Sequence, residues 1–392
     1  MKLTATLVIC ILIFMSCSKK ENKLEELRNS LIYKDRDDNI FKNGTDPKNE
    51  NFMYKFIENF TILGENEDVA DTNSMFLQPL AVDTDKNGNI YILDRKINSV
   101  LKYDDNGKYI MTFGGTGNGP GELQLPIAMV TREDTVFVND LGSRKVNKYY
   151  RNGEFISSKD LADGVPMHMK TIGKDRFIGI KLFGFSNEKG EYTTYDLVLM
   201  NQNFETIKVL NEFKILLSEA RTISFLDYLV PCSWYGDEIF VSVNSEDQYK
   251  INVFDFDGNK KYSIEKSYRK LQMSDLERKE FDDIILMKNN GQKITGDIEA
   301  RNKKAINGLY HDRDGRLIVI PSIERDQHNM NNLYFDVFDK GEFQNRVLID
   351  NLCDGHDFFN LDDRLLFKGV KLYHLKISEM FLKVYDYEIE NK

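Results

Sequence analysis

The stretch FGGTGNGPGELQLP, residues 113–126, is the most glycine-dense part of the chain, and its role decides how the fold is read. A glycine-rich loop that cradles phosphate lies between a strand and a helix, so that N–H groups at the helix end meet the anion. Here a strand precedes the glycines, but the residues that follow, LPIAMVTREDTVFV, have the pattern of another strand. We therefore interpret this run as a connector between two strand-built units, and not as a nucleotide site.

Short strands with alternating apolar and polar residues recur on both sides of this connector. Each of the clearest strands follows a turn rich in Asp, Asn and Gly, and a third strand with its own hairpin turn follows, as in VLKYDDNGKYI. The unit is therefore a four-stranded antiparallel blade. Its second strands begin near Ile90, Val136, Phe177, Ile239, Leu317 and Leu365, at intervals of 46, 41, 62, 78 and 48 residues. The short intervals match the period of about 40–50 residues that is typical of propeller blades.

The two ends of the chain predict how the ring closes. The sixth unit ends in FLKVYDYEIENK, a third strand without a fourth, whereas KFIENFTILGEN, Lys55–Asn66, is a strand without a blade. Pairing of this strand with Phe381–Tyr387 would remove two exposed sheet edges. We predict an all-β, six-bladed β-propeller that is closed by pairing of the N-terminal strand with the C-terminal blade, with one helical insertion between blades four and five.

The connector also carries a family resemblance. Its residues FGGTGNGPGEL and the following Pro126 resemble the link between consecutive blades of NHL-type propellers. Across residues 52–392 the chain resembles the six-bladed propeller lipoproteins related to NHL-repeat proteins, most closely in its first two blades. The resemblance implies a fold and a cellular location more than an activity.

The N-terminus is predicted to be a signal peptide, residues 1–16, with Lys2 before the apolar run Leu7–Met15. The stretch FMSC resembles a bacterial lipobox, which implies that Cys17 is the lipidated first residue of the mature protein; an ordinary cleaved signal is the alternative. The following SKKENKLEELRNS resembles an export tag, so we expect an outer-membrane lipoprotein, exposed at the cell surface or otherwise facing the periplasm. Residues 17–50 read as a flexible hydrophilic tether and residues 51–392 as the propeller.

Charge and cysteine usage narrow the possible functions. The net charge is −10 with scattered basic residues, which argues against nucleic acid as a partner. Cys10 leaves with the signal peptide, and Cys232 and Cys353 either pair or remain as buried free thiols. There is no C-x-x-C motif for a zinc or redox site.

The longest interval between blades contains the helical insertion, about residues 266–305. Ser274 and Glu277 form a capping-box pattern, and the apolar residues that follow lie near one helical face as far as Asn289. The helix is expected to cover a sheet edge or the channel mouth, or else to act as a ligand lid.

Candidate binding residues fall where the chain enters the inner strands and in the connecting loops at the mouth of the central channel, the usual place for function in a propeller. His168 and His356 are predicted to lie opposite each other in blades three and six. A cluster of histidine, arginine and aromatic side chains at this mouth suits a carbohydrate or carboxylate-bearing ligand. The alternative for each residue is a role in packing. The candidates are His168, His356, Trp234, Tyr235, Arg221, His311, Asn307 and Asp357.

Neither a catalytic motif nor a cofactor is predicted. DTDKNGNIYILD places oxygen-bearing residues at calcium-loop spacing, but it lacks the bidentate Glu and the flanking helices, so we interpret it as a hairpin turn. The leading hypothesis is a monomeric, lipid-anchored envelope protein that binds a ligand or protein partner at its channel mouth without catalysis. A calcium-dependent hydrolase or lactonase, or a carbohydrate-active propeller enzyme, is the alternative; Asn307 and Asp357 would then supply ion ligands. A third possibility is a scaffold in an outer-membrane uptake complex.

Overall fold

In the part of the chain that the structure describes, the regular structure consists almost entirely of β-strands. The computed structural model describes residues 39–64, 75–161, 164–187, 190–216, 229–279, 302–329, 332–349, 352 and 363–391. The strands within these ranges are β1 (Ile40–Asn43), β2 (Phe52–Leu63), β3 (Pro79–Thr84), β4 (Ile90–Asp94), β5 (Ser99–Tyr103), β6 (Tyr109–Gly114), β7 (Pro126–Arg132), β8 (Thr135–Asp140), β9 (Lys145–Tyr150), β10 (Phe155–Asp160), β11 (Met167–Ile172), β12 (Arg176–Asn187), β13 (Gly190–Met200), β14 (Thr206–Leu216), β15 (Cys232–Tyr235), β16 (Glu238–Ser242), β17 (Tyr249–Phe254), β18 (Lys260–Lys266), β19 (Ile306–His311), β20 (Leu317–Pro321), β21 (Leu333–Asp339), β22 (Glu342–Ile349), β23 (Asp363–Lys368), β24 (Lys371–Lys376) and β25 (Phe381–Asn391). No helix in the described ranges is long and apolar enough to cross a membrane.

These strands form six sheets, which are the blades of a β-propeller. Strands β3–β6, β7–β10, β11–β14, β15–β18 and β19–β22 make blades one to five. Blade six contains β23–β25 and takes β2 as its outer strand. The predicted all-β, six-bladed fold is confirmed.

The hydrophobic core lies between neighbouring blades. Strand β4 of blade one is buried along its whole length. Ile90 and Ile92 pack in one cluster with Leu375 of blade six, whereas Tyr91 packs on the other side with Val138 of blade two. Because both faces of the strand are covered, it reads in the sequence as a continuous apolar run.

Aspartates organise the turns within the blades. The Asp85 carboxylate accepts hydrogen bonds from the backbone amides of Asn87 and Asn89, at 2.9 and 3.1 Å. In blade five, Asp312 accepts equivalent bonds from the amides two and four residues later, at 2.9 and 2.8 Å. An aspartate in this position stabilises a turn by replacing the solvent that would otherwise bind its amides. The stretch DTDKNG is therefore a hairpin turn, as the sequence predicted.

The glycine-rich connector joins blade one to blade two. Gly114 and Gly121 have φ angles of 94° and 78°, in the left-handed region that favours glycine. The end of the connector is held by Asp140, the last residue of β8, whose carboxylate accepts bonds from the amides of Gln124 and Leu125 at 3.0 and 2.7 Å. The glycines thus serve a tight connection, and the interpretation as a connector is confirmed.

Blade six contains strands from both ends of the chain. Strand β2 pairs antiparallel with β25 along its full length, starting at Phe52, three residues before the predicted Lys55. The buried Tyr54 hydroxyl on β2 donates a hydrogen bond to Asp312 of blade five at 2.9 Å. The ring of Tyr54 also packs edge-on against Tyr387 of β25, with centroids 6.1 Å apart. The N-terminal strand therefore joins blade six and contacts blade five.

The strand order within blade six corrects one expectation. RLLFKG, which begins at Arg364, was expected to be a second strand, but it forms the inner strand β23, and β24 is the second strand. Leu365 is therefore an inner-strand residue. Two similar apolar strands flank the turn at Gly369, and their local pattern is the same whichever of them faces the channel. Only the neighbouring blades distinguish them, since they bury β24 almost completely.

The first described residues lie along the outside of the ring. Strand β1 pairs in parallel with β18, the outer strand of blade four. The Asn43 amide group donates to the carbonyl oxygens of Glu265 in blade four and Gly341 in blade five, at 3.1 and 3.0 Å. Its side-chain oxygen accepts a bond from the Phe343 amide at 2.8 Å. The chain thus packs on the propeller from residue 39, before the predicted boundary at 51; residues 17–38 of the predicted tether lie outside the described residues.

The helical insertion begins as predicted. Residues 275–279 are helical. The Ser274 amide and hydroxyl donate to the Glu277 carboxylate at 2.7 and 2.8 Å, and the Glu277 amide donates back to the Ser274 hydroxyl at 3.3 Å. This is the reciprocal pattern of a capping box. Buried Lys303 also contacts Glu277 and so joins the two ends of the insertion. The predicted continuation to residue 289 lies outside the described residues.

Candidate functional site

The inner strands of all six blades surround a central cavity of about 840 Å³. This volume lies in the range of about 300–1,000 Å³ that is usual for small-molecule sites. Aliphatic and methionine side chains make up much of the lining, among them Leu80, Ile127, Met167, Leu309 and Leu366. Such walls favour a ligand with a substantial apolar surface.

Irregularities in the inner strands shape the cavity wall. The pairing register shifts near the start of β3, β7, β11 and β19. Bulges of this kind change the direction of a side chain. In blade three the irregularity contains His168, whose φ of 49° is uncommon for a residue other than glycine. His168 is half-buried and lines the cavity.

Among the described residues of blade six, Arg364 acts electrostatically on His168. Arg364 lies on β23 and lines the cavity with His168. Burial, together with the positive charges of Arg364 and Lys170, lowers the pKa of His168 to about 3. His168 is therefore neutral at physiological pH. His356 was expected in the position facing His168, but it precedes β23 and lies outside the described residues.

The side chain of His311, the last residue of β19, packs against two aromatic rings of blade four. Tyr235 stacks on its imidazole with centroids 5.6 Å apart, and Phe240 contacts it edge-on at 4.6 Å. Both ring nitrogens are buried and have no hydrogen-bond partner among the described residues. Burial and the charge of Lys170 lower the pKa of His311 to about 3, so the neutral ring keeps one donor and one acceptor.

Lys170 is a lining residue that sequence reasoning missed. Its ammonium donates to the Cys232 carbonyl oxygen at 2.6 Å and lies 5.9 Å from the centre of the Tyr310 ring. No carboxylate in the described part of the chain forms an ion pair with it. The sequence carried no signal that set this lysine of MHMKTI apart, because other inner strands also contain charged residues such as Asp83 and Lys368.

Positive charge exceeds negative charge along the described lining. Five lining side chains are cationic and two are carboxylates. Asp83 accepts from Lys368 at 3.1 Å and from the Thr131 amide at 2.7 Å. The other carboxylate, Asp312, is engaged by its turn amides and by Tyr54. The cations are Arg95, Lys170, Arg313, Arg364 and Lys368. Because the whole chain is acidic, this local excess points to an anionic ligand.

The other predicted residues divide between the cavity and the rest of the molecule. Trp234 and Tyr235 line the cavity and are 36% and 45% exposed. The Asn307 side-chain amide donates to the Ser322 hydroxyl at 3.0 Å, and Asn307 is not part of the lining. Cys232 is a buried free thiol, and burial raises its pKa. Cys17, Cys353, Arg221, His356 and Asp357 lie outside the described residues.

No group of three or more His, Cys, Asp or Glu side chains in the described part of the chain could hold a metal ion. Asp85, the centre of the calcium-like loop, accepts bonds from two backbone amides, from the Asn89 side chain and from the Tyr91 hydroxyl. Its oxygens are thus directed at protein donors.

Comparison with known proteins identifies the fold. Residues 76–349 match a family model described as a 6-bladed beta-propeller. Similar solved structures include a DUF4221 family member from Bacteroides vulgatus, 10% identical, covering 88% of this chain and 100% of that chain with a TM-score of 0.48. A protein of Bacteroides fragilis described as exported is 12% identical, with coverages of 90% and 99% and a TM-score of 0.45. Virginiamycin B lyase from Staphylococcus aureus is 8% identical, with coverages of 85% and 99% and a TM-score of 0.44. No curated protein matches the chain.

Proposed function

This chain belongs to the DUF5128 family of 6-bladed beta-propellers, and from that premise we propose that it is a lipid-anchored protein of the cell envelope that binds a ligand or protein partner at its channel mouth. Binding, and not catalysis, is its proposed role. The two carboxylates of the described lining, Asp83 and Asp312, are both engaged by protein donors. This supports binding over an acid–base pair for hydrolysis.

The observation that carries the proposal is the central cavity with its aromatic side chains. Trp234 and Tyr235 remain substantially exposed there, although both are large side chains in a mostly apolar lining. Exposed aromatic surface inside a concave, mostly apolar site is what a bound ligand would cover. The cationic side chains of the same wall would orient an acidic group.

The proposed location at the outer membrane is based on the N-terminal sequence. Cys17 in the lipobox-like FMSC would carry the lipid, and the charged residues after it would direct the protein to the outer membrane. Replacement of Cys17 by Ser should release the chain from the membrane fraction and abolish incorporation of labelled palmitate. Protease accessibility on intact cells then distinguishes the cell surface from the periplasmic face. Retention of a Cys17→Ser variant in the membrane would contradict lipid anchoring.

Ligand binding is tested by thermal unfolding of the full chain with small carboxylates, sugars and peptides. A compound that binds the channel should raise the melting temperature of the wild type. The stabilisation should be lost in Tyr235→Ala and kept in Tyr150→Ala, since Tyr150 is a comparably exposed tyrosine outside the lining. Stabilisation that survives Tyr235→Ala places binding elsewhere, and turnover of the compound would contradict a purely binding role.

A further inference from the structure

Lys170 and His311 both carry polar groups in the channel that are not paired with a charge or a hydrogen-bonding side chain of the described protein. The Lys170 ammonium uses one of its three donors on the Cys232 carbonyl oxygen. The His311 imidazole has two buried nitrogens without a partner in the described residues. Buried polar groups in folded proteins are normally satisfied, so such groups in a cavity point to a ligand or water that would satisfy them.

These two groups belong to one region of the channel. Lys170 lies 5.9 Å from the centre of the Tyr310 ring on β19, and its positive charge acts on the His311 imidazole of the same strand. Both side chains line the same cavity. The position therefore offers one ammonium and one neutral imidazole, which together can hold the two oxygens of a single carboxylate.

The walls around this position are apolar and aromatic. Tyr235 and Trp234 lie on the neighbouring blade four, and aliphatic and methionine side chains of the other inner strands make up much of the remaining lining, beside its cationic side chains. A carbohydrate would place hydroxyl groups against the apolar parts of this wall without partners, at a cost for each one. An apolar body gains free energy by the same burial.

We propose that the channel binds an amphipathic carboxylate, with its head group between Lys170 and His311 and its apolar body against Tyr235, Trp234 and the aliphatic wall. This inference rests on the proposed channel-binding function and narrows its ligand class to an acid with one apolar chain or ring. A neutral amphiphile would contact the apolar wall but would have no carboxylate for Lys170 and His311. A sugar has neither a carboxylate nor an apolar body.

The single tryptophan of the chain provides the measurement. Trp234 is the only tryptophan and lines the cavity, so its fluorescence reports on the site. The full chain is titrated with octanoate, octanol, octylamine and glucose, probes that separate charge from chain length. Octanoate should bind more tightly than octanol by about tenfold or more, because a hydrogen bond to a charged group is stronger than one between neutral groups. Octylamine and glucose should bind more weakly still.

The variants assign the preference to Lys170. Lys170→Met should abolish the advantage of octanoate over octanol, and Lys170→Arg should keep most of it. His311→Phe, which preserves the ring packing, should weaken octanoate and leave octanol unchanged. Lys108→Met, at an exposed turn, should behave as the wild type. Circular dichroism and thermal melting establish that each variant is folded.

The possible results distinguish failure of the carboxylate site from failure of the proposed channel-binding function. Equal binding of octanoate and octanol, or an unchanged preference in Lys170→Met, overturns the carboxylate site while channel binding stands. Preference for glucose also overturns it. If thermal unfolding finds no stabilising compound and Trp234 responds to no probe in the folded wild type, both the ligand class and the channel-binding function are contradicted.

Discussion

Tyr235 of blade four lies nearly parallel to the imidazole of His311 in blade five, with ring centroids 5.6 Å apart and planes 24° apart. Phe240, also in blade four, contacts the same imidazole edge-on. The ring is thus positioned across a blade boundary by packing, while neither nitrogen bonds to the described protein. Such an arrangement positions the imidazole by ring packing and leaves both of its nitrogens without a partner in the described protein.

Acid should destabilise the protein partly through His311. Burial and Lys170 lower the pKa of His311 from 6.5 to about 3 in the folded state. Between these values the unfolded chain binds a proton that the folded chain does not, so the free energy of unfolding falls as pH falls. The slope from one such histidine approaches about 1.4 kcal/mol per pH unit. Urea denaturation from pH 6.5 to 4.5 should give a shallower dependence for His311→Phe than for the wild type; identical slopes would contradict the buried neutral imidazole.

Tyr54→Phe should weaken the junction between the N-terminal strand and blade five. The buried Tyr54 hydroxyl donates to Asp312 at 2.9 Å. Loss of this hydroxyl removes a hydrogen bond to the carboxylate, and because both residues are buried, water does not take its place. We expect the free energy of unfolding to fall by about 1–3 kcal/mol. Tyr150→Phe, at an exposed tyrosine, is the matched control and should change it little. Equal effects in urea denaturation would count against a specific role for Tyr54.

Asp140→Ala should destabilise the link from blade one to blade two. The fully buried Asp140 carboxylate accepts from the amides of Gln124 and Leu125, and also from the Ser143 hydroxyl at 2.7 Å. Removal leaves several donors without a partner, at a cost of about 2–4 kcal/mol. Asp160→Ala, where the side chain is exposed, should cost less than about 1 kcal/mol. Chemical denaturation of the two variants provides the comparison, and a mild effect of Asp140→Ala would show that the connector holds its shape without it.

Asn43→Ala should loosen the N-terminal segment from the outer rim. The Asn43 side chain makes three hydrogen bonds that join blades four and five. Their loss should lower the free energy of unfolding by about 1–3 kcal/mol and speed proteolytic cleavage before residue 50. Asn59→Ala, at an exposed asparagine of β2, is the control for the substitution. Unchanged cleavage in Asn43→Ala would mean that β1 pairing alone holds this segment.

The channel site was only partly accessible to sequence reasoning. Trp234, Tyr235, His168 and His311 were selected from their positions near the inner strands, and all four lie in the lining. Lys170 was missed because it looks like an ordinary strand lysine. In blade six, the strand RLLFKG was predicted to be the second strand, but it is the inner strand. Arg364 was therefore not recognised as a group that acts on His168.

The sequence by itself determined the repeating unit, because hairpin turns and alternating strands depend on residues close together in the chain. The turn aspartates, the glycine connector and the strand without a blade are all local signals, and together they specify six blades with a shared last sheet. Tertiary structure alone decided which side chains meet across the channel and where β1 lies. Those contacts join residues that are far apart in sequence, such as Asn43 with Gly341, and no local pattern encodes the register and blade packing that bring them together.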